Sequence, residues 1–134
     1  MQRRLEAYFE LSGAGEVFNA PIDLILSTHD ITQPDMVVVA DKASITRRGI
    51  EARPVLIVEV LSPSTEKFDR QVKARHYAAL GVPHYWVLDP DQRRLECYTS
   101  VDGAFVLSAS GEGDAQVVVP VFAGLTIDLG VIWR

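Results

Sequence analysis

The densest apolar pattern in the chain lies at residues 54–61, PVLIVEVL, where one polar residue, Glu59, interrupts an otherwise unbroken run. The run has the length of one strand and no alternation, so it predicts a strand covered on both faces. Ser62, Pro63, Ser64 and Thr65 break it, with Ser64/Thr65 placed to cap a helix over residues 66–80. Gly81 and Pro83 end that helix. Phe68, Val72 and Ala79 make its core stripe, flanked by Asp69, Lys73, His76 and Leu80. HYWVLD at residues 84–89 is a second strand. The pattern of residues 54–90 is therefore strand, crossover helix, strand, which sets two parallel neighbours in one sheet.

The flanking segments are read the same way. Leu5, Tyr8, Phe9 and Leu11 recur at helical spacing, and Gly13 and Gly15 stop the last turns of a helix. Residues 16–27 read as one strand, with Pro21 at an edge or bulge, joined through Thr28, His29 and Asp30 to the apolar run MVVVA in a hairpin. Residues 41–53 read as a charged loop with one helical turn. Further on, RLECYT at 94–99, a turn at Asp102-Gly103, a return strand at 105–108 and a turn at 111–114 are followed by apolar segments at 117–121 and 125–129. The fold class predicted is α/β, with a central mixed sheet, one crossover helix and additional C-terminal antiparallel strands.

Glu59 changes the picture from architecture to chemistry. A carboxylate inside a strand buried on both sides costs several kcal/mol, on the order of the desolvation of an ion, unless it is neutralised, paired or metal-bound. Glu59 lies roughly 10 Å back from the strand tip at ~3.3 Å per residue. Lys73 lies roughly 12 Å back along a returning helix at ~1.5 Å per residue. The two side chains can face one point. Asp35 follows Pro34 at the mouth of the preceding strand. Two carboxylates on adjacent strands supply the hard oxygen ligands that Mg²⁺ takes, and a neighbouring lysine can orient water and balance charge on a phosphate oxygen. Each residue also has a plainer reading. Asp35 would cap a turn, Lys73 would pair with Asp69 on a solvated helix face, and Glu59 would be a buried ion-pair partner.

Composition bounds these readings. At 134 residues with 48% hydrophobic and 23% charged positions, the chain is the size of a single domain, 1–134. A net charge of −5 and a pI near 5.1 argue against a basic groove gripping nucleic acid by charge alone. A metal would supply positive charge locally. No apolar run approaches the roughly 20 residues of a membrane span, and no signal-peptide core follows Met1, so a cytoplasmic protein with no membrane partner is expected. The single cysteine, Cys97, excludes an internal disulfide and a cysteine-based zinc site, and reads as a half-buried strand filler. Ser62 and Thr65 suit helix capping more than phosphate contact, and His76 and Tyr77 suit packing or oligomer contacts more than catalysis. Trp86 and Trp133 are core or interface aromatics, and Asp89 is either a turn residue or an outer acid of the site.

Taken in order, QPDMVVV, PVLIVEVLSPST, DRQVKARHYAALGVPHYWVLDP and VFAGLTIDL resemble the Uma-two family of the PD-(D/E)XK restriction-endonuclease-like superfamily, over residues 15–129. The resemblance implies a restriction-endonuclease-like core and a Mg²⁺-dependent endonuclease, Mn²⁺ being an alternative ion, that hydrolyses DNA phosphodiesters. It matches Asp35 and Glu59 to the metal-holding acids and the Val60 carbonyl to the third protein contact. Leu61 occupies the usual lysine position, and Lys73 supplies the lysine from the helix. Relatives with a longer N-terminal region carry a hairpin and most of a first helix, with a further acid, and Glu6 or Glu10 would be its remnants here. That difference predicts apolar sheet surface buried in a homodimer. It also leaves a second functional expectation, a catalytically inactive nuclease fold serving as a binding or assembly module.

Overall fold

The computed structural model describes residues 1–20, 22–27, 30–40, 45–51, 53–62 and 67–133. Helix α1 (Gln2–Leu5) runs on into π-helical turns at Glu6–Glu10 and is followed by β1 (Glu16–Asn19), β2 (Leu24–Ser27), β3 (Asp30–Thr32) and β4 (Met36–Val39). Next come β5 (Ile45–Thr46), β6 (Gly49–Ile50), β7 (Leu56–Val60), helix α2 (Lys67–Ala79) and β8 (His84–Asp89). The chain continues through β9 (Arg94–Val101), β10 (Ala104–Glu112), β11 (Gln116–Val118), β12 (Thr126–Asp128) and helix α3 (Leu129–Ile132).

Six of these strands form a mixed sheet in the order β1-β4-β7-β8-β9-β10. Within it β7 and β8 are parallel and every other neighbouring pair is antiparallel. The parallel pair is the one α2 connects, because a same-direction return needs a crossover. Gly81 at φ 82° closes α2, with Val82 N–H donating to the Tyr77 carbonyl. Asp102 at φ 53° and Gly103 at φ 81° turn β9 into β10 with the two positive-φ residues of a tight hairpin.

The uniformly apolar central strand is explained by its two covered faces. On one side Val38, Leu56, Val58, Trp86, Leu95 and Cys97 lie beneath Leu5, Phe9, Leu125, Ile127 and Leu129. On the other side Val37, Val39, Ile57, Tyr85 and Val87 lie beneath Tyr77 of α2 and Leu24 and Ile50 of a second sheet. The first face is thus covered in part by Leu5 and Phe9, both fully buried.

Several expectations are corrected. Residues 16–27 are two strands: β1 pairs with β4 as predicted, but β4 offers only four residues, and β2 departs into a four-stranded sheet ordered β3-β2-β6-β5. Residues 45–50 form the β5/β6 hairpin, with no helical turn among the described residues, because its two-residue rungs are too short to show a period. Helix α2 is rotated from the predicted phase. Val72 and Ala79 are exposed, and Ala74, Tyr77 and Ala78 face the protein, where two alanines permit close approach to β10.

Leu11 is exposed rather than buried, and Cys97 is fully buried rather than half-buried. Strand β10 extends well past residue 108, and α3, capped by Asp128 accepting from Gly130 N–H, was not foreseen. Pro21, Thr28, His29, Asp41 and the Ser64/Thr65 cap lie outside the described residues, as does the side chain of Phe68. Among the described residues no helix is long and apolar enough to cross a membrane.

Candidate metal centre

Strand alternation decides which face each acid occupies. Ile57 and Val37 point to the α2 side, and so therefore do Glu59, two residues after Ile57, and Asp35, two residues before Val37 and just ahead of β4. The β4/β7 register pairs Met36 with Val58, and one further antiparallel step sets Asp35 opposite Glu59. Asp35 still belongs to the sheet, since its carbonyl accepts from Ala20 N–H at 3.0 Å. The two carboxylates are thus cross-strand neighbours at the end of β7, beneath α2.

Each has one oxygen held by a protein donor. Val60 N–H donates to Asp35 Oδ2 at 2.6 Å, and the Tyr77 hydroxyl donates to Glu59 Oε1 at 3.0 Å. The two carboxyl groups also contact one another, and their second oxygens are the ones a cation would take. Because an extended residue directs its N–H and C=O to the same edge, the Val60 carbonyl also faces the Asp35 side. Lys73 Nζ stands 3.8 Å from Glu59 Oε2, on a side chain open to solvent while Glu59 is 6% exposed. The structure therefore brings Asp35, Glu59, Val60 and Lys73 together. Leu61 donates its N–H to the Leu88 carbonyl and packs its side chain on the α2-side core, so no lysine chemistry comes from its position.

Burial, first, pushes the Glu59 carboxyl up to about 7, and the charge of Asp35 with its hydrogen-bonding contact acts in the same direction. Lys73 and the Tyr77 hydroxyl oppose the rise without cancelling it. Glu59 is the one buried charged or polar residue among the described ones, so the protein alone leaves its ionised form under-compensated. Paired carboxylates and a peptide carbonyl are the donor set of a hard divalent cation, which often takes one or two protein carboxylates and keeps other positions for water and phosphate. Among the described residues no group of three or more His, Cys, Asp or Glu side chains could hold a metal ion. The set fits Mg²⁺ or Mn²⁺ rather than a nitrogen- or sulfur-seeking ion.

The other acids go elsewhere. Glu10 accepts from Val17 N–H and Glu6 from the Gln2 side chain, both in the segment whose Leu5 and Phe9 pack on the opposite face of the sheet. Asp89 Oδ1 accepts from the N–H groups of Asp91 and Gln92, which is the turn role. Trp86 is core, and Trp133 donates Nε1–H to the Gly113 carbonyl. Sequence reasoning missed Tyr77, which it assigned to packing. Its position one turn after Lys73 was the available signal, since residues four apart share a helix face. Burial and the charge of Glu59 hold the Tyr77 hydroxyl far above the usual phenol range, so it stays protonated.

Comparison with known proteins bears on this geometry. A crystal structure described as that of "a putative nuclease belonging to DUF820", from Anabaena variabilis, matches 98% of this chain and 75% of that one with a TM-score of 0.72. At 21% identity the likeness is one of fold. The "Uncharacterized protein slr1290" of Synechocystis sp. is 40% identical over 67 residues, 49% of this chain and 35% of that protein, so the match spans about a third of that relative's length. Residues 1–130 match Uma2, described as "Putative restriction endonuclease". With that match running through strands, site and C-terminal hairpin alike, the chain belongs to the Uma2 family.

Proposed function

We propose that this protein is a Mg²⁺-dependent endonuclease, able to use Mn²⁺, that hydrolyses phosphodiester bonds in DNA. One observation carries the reading: Asp35 and Glu59 converge across two strands, each with one oxygen anchored, beside an ammonium 3.8 Å away. Asp35, Glu59 and the Val60 carbonyl would hold the cation. When bound, the cation polarises the phosphodiester and acidifies water. Lys73, at the solvent side of Glu59, orients the attacking water and meets the negative charge that develops on the phosphate oxygens.

Electrostatics around the site support a phosphate substrate. Helix α2 carries Lys73 and Arg75 on its exposed side, in a chain whose net charge is −5. Positive charge on the element that supplies Lys73 to Glu59 favours a polyanion there. The family's description, "Putative restriction endonuclease", agrees with that chemistry.

The test is cleavage of supercoiled plasmid DNA with Mg²⁺ or Mn²⁺ by the wild type and by Glu59→Ala and Lys73→Ala. Removing a metal ligand or the charge-stabilising lysine is expected to slow cleavage by about 100-fold or more. Equal cleavage by wild type and variants would remove the proposal. The second reading, a nuclease fold acting as a binding or assembly module, draws on the absence of a third side-chain acid among the described residues. Metal uptake by the wild type without any strand scission would favour it.

A further inference from the structure

The hydrogen bonds behind Glu59 run in one direction. Tyr77 has one hydroxyl proton, and it goes to Glu59 Oε1 at 3.0 Å. Thr32 Oγ1 lies 3.1 Å from the same hydroxyl oxygen. With its own proton committed, Tyr77 can only accept there, so Thr32 is the donor. The chain of donation is Thr32 to Tyr77 to Glu59. It begins in the small sheet, passes through α2 and ends on the central sheet, joining three separately built elements at one carboxylate.

The receiving end of this chain is a group that needs fixing. Rotation about the last bond of a glutamate is a broad, roughly two-fold torsion that side-chain packing alone holds weakly. A donor on Oε1 removes that freedom and keeps Oε2 on the Lys73 side. Tyr77 is rigid enough for the task. It is 1% exposed and its ring packs against Tyr85 at 5.5 Å, so the hydroxyl cannot swing away without opening the core. Asp35 shows the same device, one oxygen tied by Val60 N–H.

We infer that Tyr77, oriented by Thr32, is a positioning residue that sets the rotation of the Glu59 carboxylate for cation binding. This rests on the metal-centre reading above. Hydrogen-bond partners standing behind metal ligands are worth about 10–100-fold in metal affinity. The small sheet therefore acts on the site through one hydroxyl, without touching cation or substrate.

The experiment is calorimetric titration of the full chain with MnCl₂, comparing wild type with Tyr77→Phe, Thr32→Val and Thr32→Ser, alongside thermal melts of the metal-free proteins. Tyr77→Phe keeps the ring and its packing and is expected to weaken Mn²⁺ binding about tenfold or more. Thr32→Val keeps the volume but loses the donor, and is expected to shift affinity in the same direction by a smaller factor. Thr32→Ser restores the hydroxyl and is expected to recover wild-type affinity, which a purely space-filling role for Thr32 would not do. If the wild type takes up Mn²⁺ and Tyr77→Phe binds it equally well, the positioning role is overturned while the metal centre stands. If the wild type takes up no Mn²⁺, the metal centre fails and this inference with it. Should Tyr77→Phe melt early, the Thr32 pair decides alone: equal affinity of the Val and Ser variants overturns the relay, and a loss reversed by Ser supports it.

Discussion

The two faces of the central sheet are built from the same strands, yet only one of them carries a cost. On the face beneath α1 and the C-terminal hairpin, buried positions are apolar throughout, from Val38 and Val58 to Trp86, Leu95 and Cys97. The face beneath α2 is equally apolar through Val37, Ile57 and Val87, then ends in Glu59, with Asp35 opposite it. Since strand alternation assigns neighbours such as Val58 and Glu59 to opposite faces, one strand serves packing with one set of residues and holds a buried acid with the other. The comparison teaches where stability has been given up. A leucine at position 59 would complete the second face, and the protein instead keeps an acid whose ionised form is disfavoured there.

The largest effect is expected on the closed face. Trp86→Ala empties a site that is 1% exposed, and truncation of a buried aromatic costs about 3–5 kcal/mol. Urea unfolding measures that loss. On the metal-centre proposal, any protein that remains folded is expected to match the Mn²⁺ uptake of the wild type, because Trp86 packs on the opposite face from the carboxylates. A variant that kept its stability but lost metal uptake would break the division between the faces.

The opposite sign is expected on the site face. The folded-state value of Glu59 lies near 7 and its unfolded value near 4.5, so the folded protein holds this proton more tightly. The stability that goes with it is fully present below about pH 4.5 and is lost as pH rises through 7. At about 1.4 kcal/mol per pH unit of difference, ionised Glu59 costs the metal-free fold about 3 kcal/mol at pH 8. Glu59→Gln retains an oxygen for the Tyr77 hydroxyl and cannot ionise. In chelator-containing buffer it is expected to be about 3 kcal/mol more stable than wild type at pH 8 and close to it at pH 4. Equal stability of the two proteins at pH 8 would mean the acid carries no strain.

Much of this division was legible in the sequence, for a specific reason. A lone carboxylate in an apolar run is a contradiction visible without coordinates, and it made the strand and its two-sided burial readable and marked Glu59 as the residue to explain. Lys73 followed from spacing, because the crossover helix fixes how far it reaches back, while Asp35 was marked by its place at the mouth of the adjacent strand and by the family resemblance. The small sheet was not readable. Its rungs are as short as Ile45–Thr46 with Gly49–Ile50, and no period can show in two residues. Tyr77 was missed because the predicted stripe of Phe68, Val72 and Ala79 turned it away from the sheet, whereas it is core except for the hydroxyl that meets Glu59. The short helix α3 depends on one cap, Asp128 to Gly130 N–H, inside four residues that read equally well as strand.

The smallest expected effect tests the rotation of α2, on which Tyr77 depends. The apolar pattern placed Val72 in the core with Phe68 and Ala79, whereas in the structure Val72 is 42% exposed and Tyr77 and Ala78 are buried. A helix in the predicted phase would turn Tyr77 aside and leave Glu59 Oε1 without its donor. If Val72 lies on the outer surface, Val72→Ala removes little buried area and relieves a β-branched side chain in a helix, for a change of about 0.5 kcal/mol or less in either direction. If Val72 were core, the same truncation would leave a cavity and cost about 2 kcal/mol or more. Unfolding curves separate these values easily. A neutral Val72→Ala keeps the hydroxyl of Tyr77 over Glu59, and with it the contrast between a face that only packs and a face that holds a charge.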